Sequence, residues 1–185
     1  MKNEYASLDD AALVELMKRG EKDAYSALYL RHRDAVYSYC LHFLRDSCTA
    51  QDVVHDTFVR VHEKLPKLDN GLAFRTWVLS IARNLIFNGR RDTHLAYGET
   101  PEPESSDRNP LEKIEHEQTL GAVWSSIQQL APVLREVMEL RVAQELSYKE
   151  IAEVTGTTED VVRIRLYRAR KALLLRLQHL GEDGK

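Results

Sequence analysis

The sequence is poor in the residues that staple, punctuate or flatten a fold. It has two cysteines, Cys40 and Cys48, among 185 residues, which excludes a disulfide scaffold. Borrowing His42 or His55 gives no familiar ligand spacing, so no metal and no cofactor is expected. Glycine and proline are sparse, at eight and five, and alternating β-branched runs are almost absent, which excludes a strand-rich fold. No apolar run approaches the ~20 residues that span a bilayer, so no membrane insertion is expected. The opening residues, MKNEYASLDD, lack the apolar core of a signal peptide. Together these absences predict a cytoplasmic protein. An excess of base is missing too: the net charge is −3, so any contact with nucleic acid has to come from a local patch.

What is present is helical periodicity. Ser7 opens a capping-box-like start, SLDD, for a short helix reaching Gly20. A second helix is predicted over 22–44, with Leu28, Val36, Tyr39, Cys40, Phe43 and Leu44 on its apolar side. A third begins at Thr49, carries Val53, Val54, Phe58, Val61 and Leu65 at helical spacing, and ends at Pro66. Cys48 falls at the junction before it; a redox role for Cys48 or Cys40 is left open. A loop, PKLDNGLA, leads to a fourth helix over about 73–91, striped by Phe74, Trp77, Val78, Ile81, Leu85 and Ile86. Core packing is the expected role of Phe74 and Trp77.

The composition then changes. Residues 92–110 hold three prolines and no helical period. From Thr93 to Glu117, seven acids stand against Arg108 and Lys113, a net −5 that leaves the rest of the chain at +2. Helices resume after Pro110, one with Leu120, Val123, Trp124, Ile127 and Leu130 inward, another from Pro132 through Val137 and Leu140 to Ala143. The expected architecture is all-α: a helical domain over 1–92, a flexible acidic linker over 93–117, and a second helical domain over 118–185.

The last domain carries the base. Ser147 and Glu150 form a capping box, Gly156 fits a left-handed turn, and Thr157 or Thr158 caps the next helix, where Glu159 and Asp160 suit its positive end. Short helix, glycine turn and longer helix make a helix-turn-helix. Val162, Leu166, Ala169 and Leu173 share one face, and Arg163, Tyr167 and Arg170 share the other, flanked by Arg165 and Arg168. Glu159 to Arg176 carries six bases and two acids, a local +4. A plain solvated face is the alternative. The cap spacing, the free basic side and the scarcity of acids after Asp160 favour DNA.

LSYKEIAEVTGTTEDVVRIRLYRARKAL resembles the promoter-reading module of bacterial extracytoplasmic-function (ECF) sigma factors. AQDVVHDTFVRVHEKL and FRTWVLSIARNLIFNGRR are similar to that family's polymerase-binding and promoter-melting helices. The resemblance spans roughly residues 10–180. It implies a sigma-2-like four-helix bundle and a sigma-4-like helix-turn-helix domain. The partners it implies are core RNA polymerase (clamp helices and flap), promoter DNA and an anti-sigma factor, in a stress-response setting.

By resemblance, Thr158, Arg163, Ile164, Tyr167 and Arg168 meet the −35 duplex, while Arg141, Tyr148, Lys149 and Arg170 meet its phosphates. Asp69 and Asn70 lie in the loop that would capture an extruded −10 base. Arg75, Arg83, Asn84, Arg90 and Arg91 would hold the opened strand, with Arg83 and Asn84 expected beside the apolar stripe and available. Asp52, Val53, Asp56, Thr57 and Arg60 match the surface that docks on polymerase. The chain departs from the family at Ile164, where a small polar residue is common, at Asp160–Val161, and at His62, which replaces a tryptophan. In related complexes the linker threads toward the polymerase's RNA path; acids there fit either a nucleic-acid mimic or a solubilising tether. Asp52, His55 and Asp56 also suggest a hydrolase, but no third ligand or phosphate cradle accompanies them, so no catalytic residue is expected. A DNA-binding regulator with a sensor or dimerisation domain, and a helical adaptor without DNA, are the rival readings.

Overall fold

The computed structural model describes residues 5–65, 68, 73–92 and 124–182, with side chains described for these except 88–92 and 177–182. No strand occurs among the described residues, so the chain is all-α as expected. The linker, Leu120, Val123, Asp69 and Asn70 lie outside them.

After a 3-10 turn at Tyr5–Ser7 come α1 (Asp10–Lys18), α2 (Lys22–Leu44), α3 (Ser47–Lys64) and α4 (Phe74–Asp92). Each presents an apolar face to the others, and α2 packs on α1, α3 and α4. Leu13, Leu28, Val36, Tyr39, Cys40, Val78, Leu79 and Ala82 are almost wholly buried. Each of the larger apolar side chains contributes roughly 1.5–3 kcal/mol. Phe74 is core as expected, and Trp77, half-buried, packs against that core.

Two caps differ from the sequence reading. The N-cap of α1 is Asp9, not Ser7: its carboxylate accepts from Ala12 N at 2.8 Å. The N-cap of α3 is Asp46, not Thr49; its carboxylate accepts from Thr49 N at 2.7 Å and from the Thr49 hydroxyl. Aspartate caps as well as serine or threonine; Asp9 lies within SLDD, two residues past Ser7, and Asp46 lies three residues before Thr49. Asp10 then ties α1 to α2, taking Arg31 Nη1 and His32 Nε2 at 2.7 Å each. His62 meets Tyr25 edge-on, with ring centroids 6.0 Å apart.

The second half contains α5 (described over 124–128), α6 (Pro132–Val142), α7 (Tyr148–Thr155) and α8 (Glu159–Glu182). Pro132 opens α6, where its fixed φ and missing N–H do no harm. The predicted capping box opens α7: Ser147 Oγ accepts from Glu150 N, and Ser147 N donates to Glu150 Oε2. Gly156 ends it at φ 65°, where a β-carbon would be strained. Thr158 is the residue that caps α8, its hydroxyl accepting from Val161 N at 3.4 Å. Val162, Leu166, Ala169 and Leu173 are buried against α6 and α7.

Candidate nucleic-acid interface

Burying that apolar stripe fixes the orientation of α8 and turns its basic side outward. Arg163, Ile164, Tyr167, Arg168, Arg170 and Lys171 are all exposed. Arg168 and Lys171 have no partner among the described residues. Arg163 is held by Asp160, Nη1 to Oδ1 at 2.9 Å, and both groups lie in solvent. Thr158 and Lys149 are exposed at the same end. Arg141 and Tyr148 contact each other. Arg141 donates to Leu146 O at 2.8 Å and lies over the Tyr148 ring, so this pair fixes the turn between α6 and α7. Tyr148 OH in turn lies 3.5 Å from Arg170 Nη2.

The residues expected on the opened strand are placed otherwise. Arg83 forms an ion pair with Glu136 of α6, and its Nη2 reaches Oε2 at 3.3 Å. The Tyr39 hydroxyl approaches the same carboxylate at 3.4 Å, and Glu136 is 1 % exposed. Burial first, then Glu136, pushes the Tyr39 hydroxyl's pKa well up, so it stays a neutral donor. Arg75 donates to Gln144 O at 2.8 Å, and Gln144 Nε2 donates to Ala35 O at 3.3 Å. The expectation that Arg83 is available is therefore corrected for this conformation: a buried acid from the second half claims it. Asn84 is exposed. Arg90 and Arg91 lie in α4 beyond the residues whose side chains are described.

The contact between the halves is polar along much of its length. Arg45, in the left-handed region at φ 56°, reaches Gln128 Oε1 at 2.6 Å. Gln128 Nε2 donates to Glu139 Oε1 at 3.0 Å, while Glu139 Oε2 has no hydrogen-bond partner among the described residues. Burial lifts the Glu139 carboxyl to about 7. Trp124, expected inside, is instead half-exposed and stacks on His42, with centroids 5.1 Å apart. The sequence reading missed Glu136, Glu139, Gln128, Arg45 and Gln144. The available signal was in α6, where both glutamates recur three residues apart.

On α3, Asp52, Asp56 and Arg60 are exposed and Val53 is half-buried. Thr57 is a correction to the expected docking surface: it is wholly buried, and its hydroxyl donates to Val53 O at 2.6 Å. It supports the exposed residues from beneath.

These features define a two-part helical protein with a helix-turn-helix unit that turns a basic face outward and a bundle that presents acids from one helix. The family model described as Sigma-70 region 2 matches residues 28–95, and that described as Sigma-70, region 4 matches residues 120–173. The chain is 32% identical to RNA polymerase sigma-H factor of Pseudomonas aeruginosa, over 95% of this chain and 97% of that protein. It is 30% identical to ECF RNA polymerase sigma-E factor of Escherichia coli, over 94% and 96%. Among solved structures, CnrH, in complex with the cytosolic domain of CnrY, matches at 26% identity and a TM-score of 0.70, covering 92% of this chain and 97% of that one. A sigma factor RpoE from Bartonella quintana, at 20% identity and a TM-score of 0.67, shares the fold over 83% and 96%. The chain belongs to the ECF RNA polymerase sigma factors.

Proposed function

We propose that the chain is an exchangeable promoter-reading subunit. It binds core RNA polymerase, directs it to promoters with −35 and −10 elements, and assists strand opening. It carries out no bond chemistry itself and works in the cytoplasm; no helix among the described residues is long and apolar enough to cross a membrane. The observation that carries this reading is the exposed basic side of α8 above a fully buried apolar stripe, in a chain whose two halves match sigma regions 2 and 4. Arg163 and Arg168 suit guanine edges in the major groove, where a good bidentate contact discriminates by roughly 1–3 kcal/mol. Lys149, Thr158 and Arg170 suit phosphates, which set register and salt dependence. Asp52, Asp56 and Arg60 offer the polymerase-binding face.

The roles assigned to Arg75 and Arg83 are compatible with their present partners only if the two halves part. The closed arrangement described above is thus read as the free state, and loading on polymerase as the step that exposes both arginines. CnrH was solved with the cytosolic domain of CnrY, and the Bartonella quintana RpoE with the anti-sigma factor NepR; we infer an anti-sigma partner for this chain as well.

Reconstituted transcription tests the reading. Purified protein is mixed with core polymerase and a genomic DNA library, and the transcript starts are sequenced. Starts clustered downstream of a common two-part element are expected; random initiation, or none above core alone, removes the reading. A conventional regulator would instead bind its site without polymerase.

A further inference from the structure

Ile164 is an apolar side chain 51 % exposed at the centre of the reading face of α8. One helical turn from it on that face are Asp160, Tyr167 and Arg168. Tyr167, at 66 % exposed, continues the apolar strip by three residues. Asp160 holds Arg163 at 2.9 Å, drawing that long side chain toward the start of the helix and away from Ile164. The result is an uncovered hydrocarbon patch set among cations, on a helix segment carrying a local +4.

A solvated face gains nothing from an exposed isoleucine, whereas a major groove offers one apolar group, the C5-methyl of thymine. We infer that Ile164 is a specificity-determining residue that reads a thymine C5-methyl within the −35 duplex, with Tyr167 closing one side of the contact. The inference rests on the promoter-reading role proposed above. Arg163 and Arg168 are separated by about 7.5 Å along the axis at 1.5 Å per residue, close to two base-pair steps. The thymine should therefore fall beside or between the guanines these arginines address.

The test removes only the methyl group. The −35 element is first defined from the mapped starts of the holoenzyme. Each thymine in it is then replaced singly by uracil, and initiation is measured with the wild-type chain and with Ile164→Ser and Ile164→Val. One uracil position is expected to lower initiation by about fourfold, the worth of roughly one buried methyl group. Ile164→Ser should make the holoenzyme indifferent to thymine or uracil at that position only, while Ile164→Val should keep most of the discrimination. Helix content by circular dichroism verifies that the exposed substitutions leave the fold intact. Tolerance of uracil at every position, an element without thymine, or discrimination that survives Ile164→Ser overturns the inference while leaving the promoter-reading role standing. Absence of mapped starts overturns both.

Discussion

Two surfaces of this chain are rich in charge, and they treat it oppositely. Between the halves, Arg83, Glu136, Tyr39, Arg75, Gln144, Arg45 and Gln128 find partners within the molecule. On the outer side of α8, Arg168 and Lys171 find none among the described residues, and Arg163 has only the solvent-exposed Asp160. A buried charge without a partner costs several kcal/mol, so the first surface must satisfy itself or separate. An exposed charge costs almost nothing while it waits. The first surface is accordingly read as a closure that holds the arginines proposed for the opened strand out of use, and the second as a face proposed to meet duplex DNA.

Breaking the closure gives the largest expected effect. Arg83→Ala leaves the buried Glu136 carboxylate without its cation and with only the long Tyr39 hydrogen bond, a cost of up to roughly 3–5 kcal/mol in a core that cannot open. Here opening relieves it, so the expected outcome is at least a tenfold rise in separated halves with little change in the denaturation midpoint. Energy transfer between dyes on the two halves measures the first, and urea unfolding the second.

Breaking the support of the reading face comes next. Leu166 is fully buried, and Leu166→Ala should cost about 2–5 kcal/mol of stability. Thermal and urea unfolding read the loss directly, and −35-dependent initiation should fall with it.

The closure can also be sharpened through pH. Burial raises the Glu139 carboxyl from 4.5 to about 7 in the packed chain, and the part of that burial supplied by the first half makes the closed state hold a proton more tightly than the open state. Glu139 faces Arg135 and Glu136 on its own helix, Gln128 from α5, Arg45 from the end of α2, and Tyr39 from α2. Its contribution to closure is full below pH 4.5, is lost as pH rises to 7, and is level above that, at most about 3 kcal/mol. His42, its pKa lowered by burial, acts in the opposite sense and weakens closure as pH falls below the ordinary imidazole value. Glu139→Gln should close more tightly than wild type at pH 7.5. It should also retain only the acid-side weakening from His42 when energy transfer is followed from pH 5 to 8.

The smallest effect belongs to single contacts on the reading face. Arg168→Ala should lower promoter binding by the holoenzyme by about 1–3 kcal/mol, with its discrimination lost at one base pair. Electrophoretic mobility shifts on single-substitution promoters measure it, and helix content should not change.

The difference between the surfaces also explains what the sequence made legible. The helix-turn-helix was readable because its signals are local: Ser147 with Glu150, the left-handed Gly156, and four apolar residues at helical spacing that the structure buries. The docking role of α3 came from the resemblance rather than from a local signal, and of its residues Thr57 turned inward to bond Val53 O one turn back. The closure was not readable. Its ion pair joins residues 53 apart in sequence, and glutamates in an amphipathic helix look like a solvated face until a second unit covers them. Asp9 and Asp46 took caps that nearby serine and threonine had suggested, because a shift of two or three residues at the helix start leaves the apolar pattern inside the helix unchanged.

Exposed Cys48 and a substitution at exposed Glu153 of α7, Glu153→Cys, place dyes on the two halves, with buried Cys40 unreactive. Energy transfer between them, followed as core RNA polymerase is titrated in, tests the central claim most directly. One short distance in the free chain, replaced stoichiometrically by a longer one in the holoenzyme, is the predicted result. A short distance that persists in a holoenzyme already open on promoter DNA would contradict it.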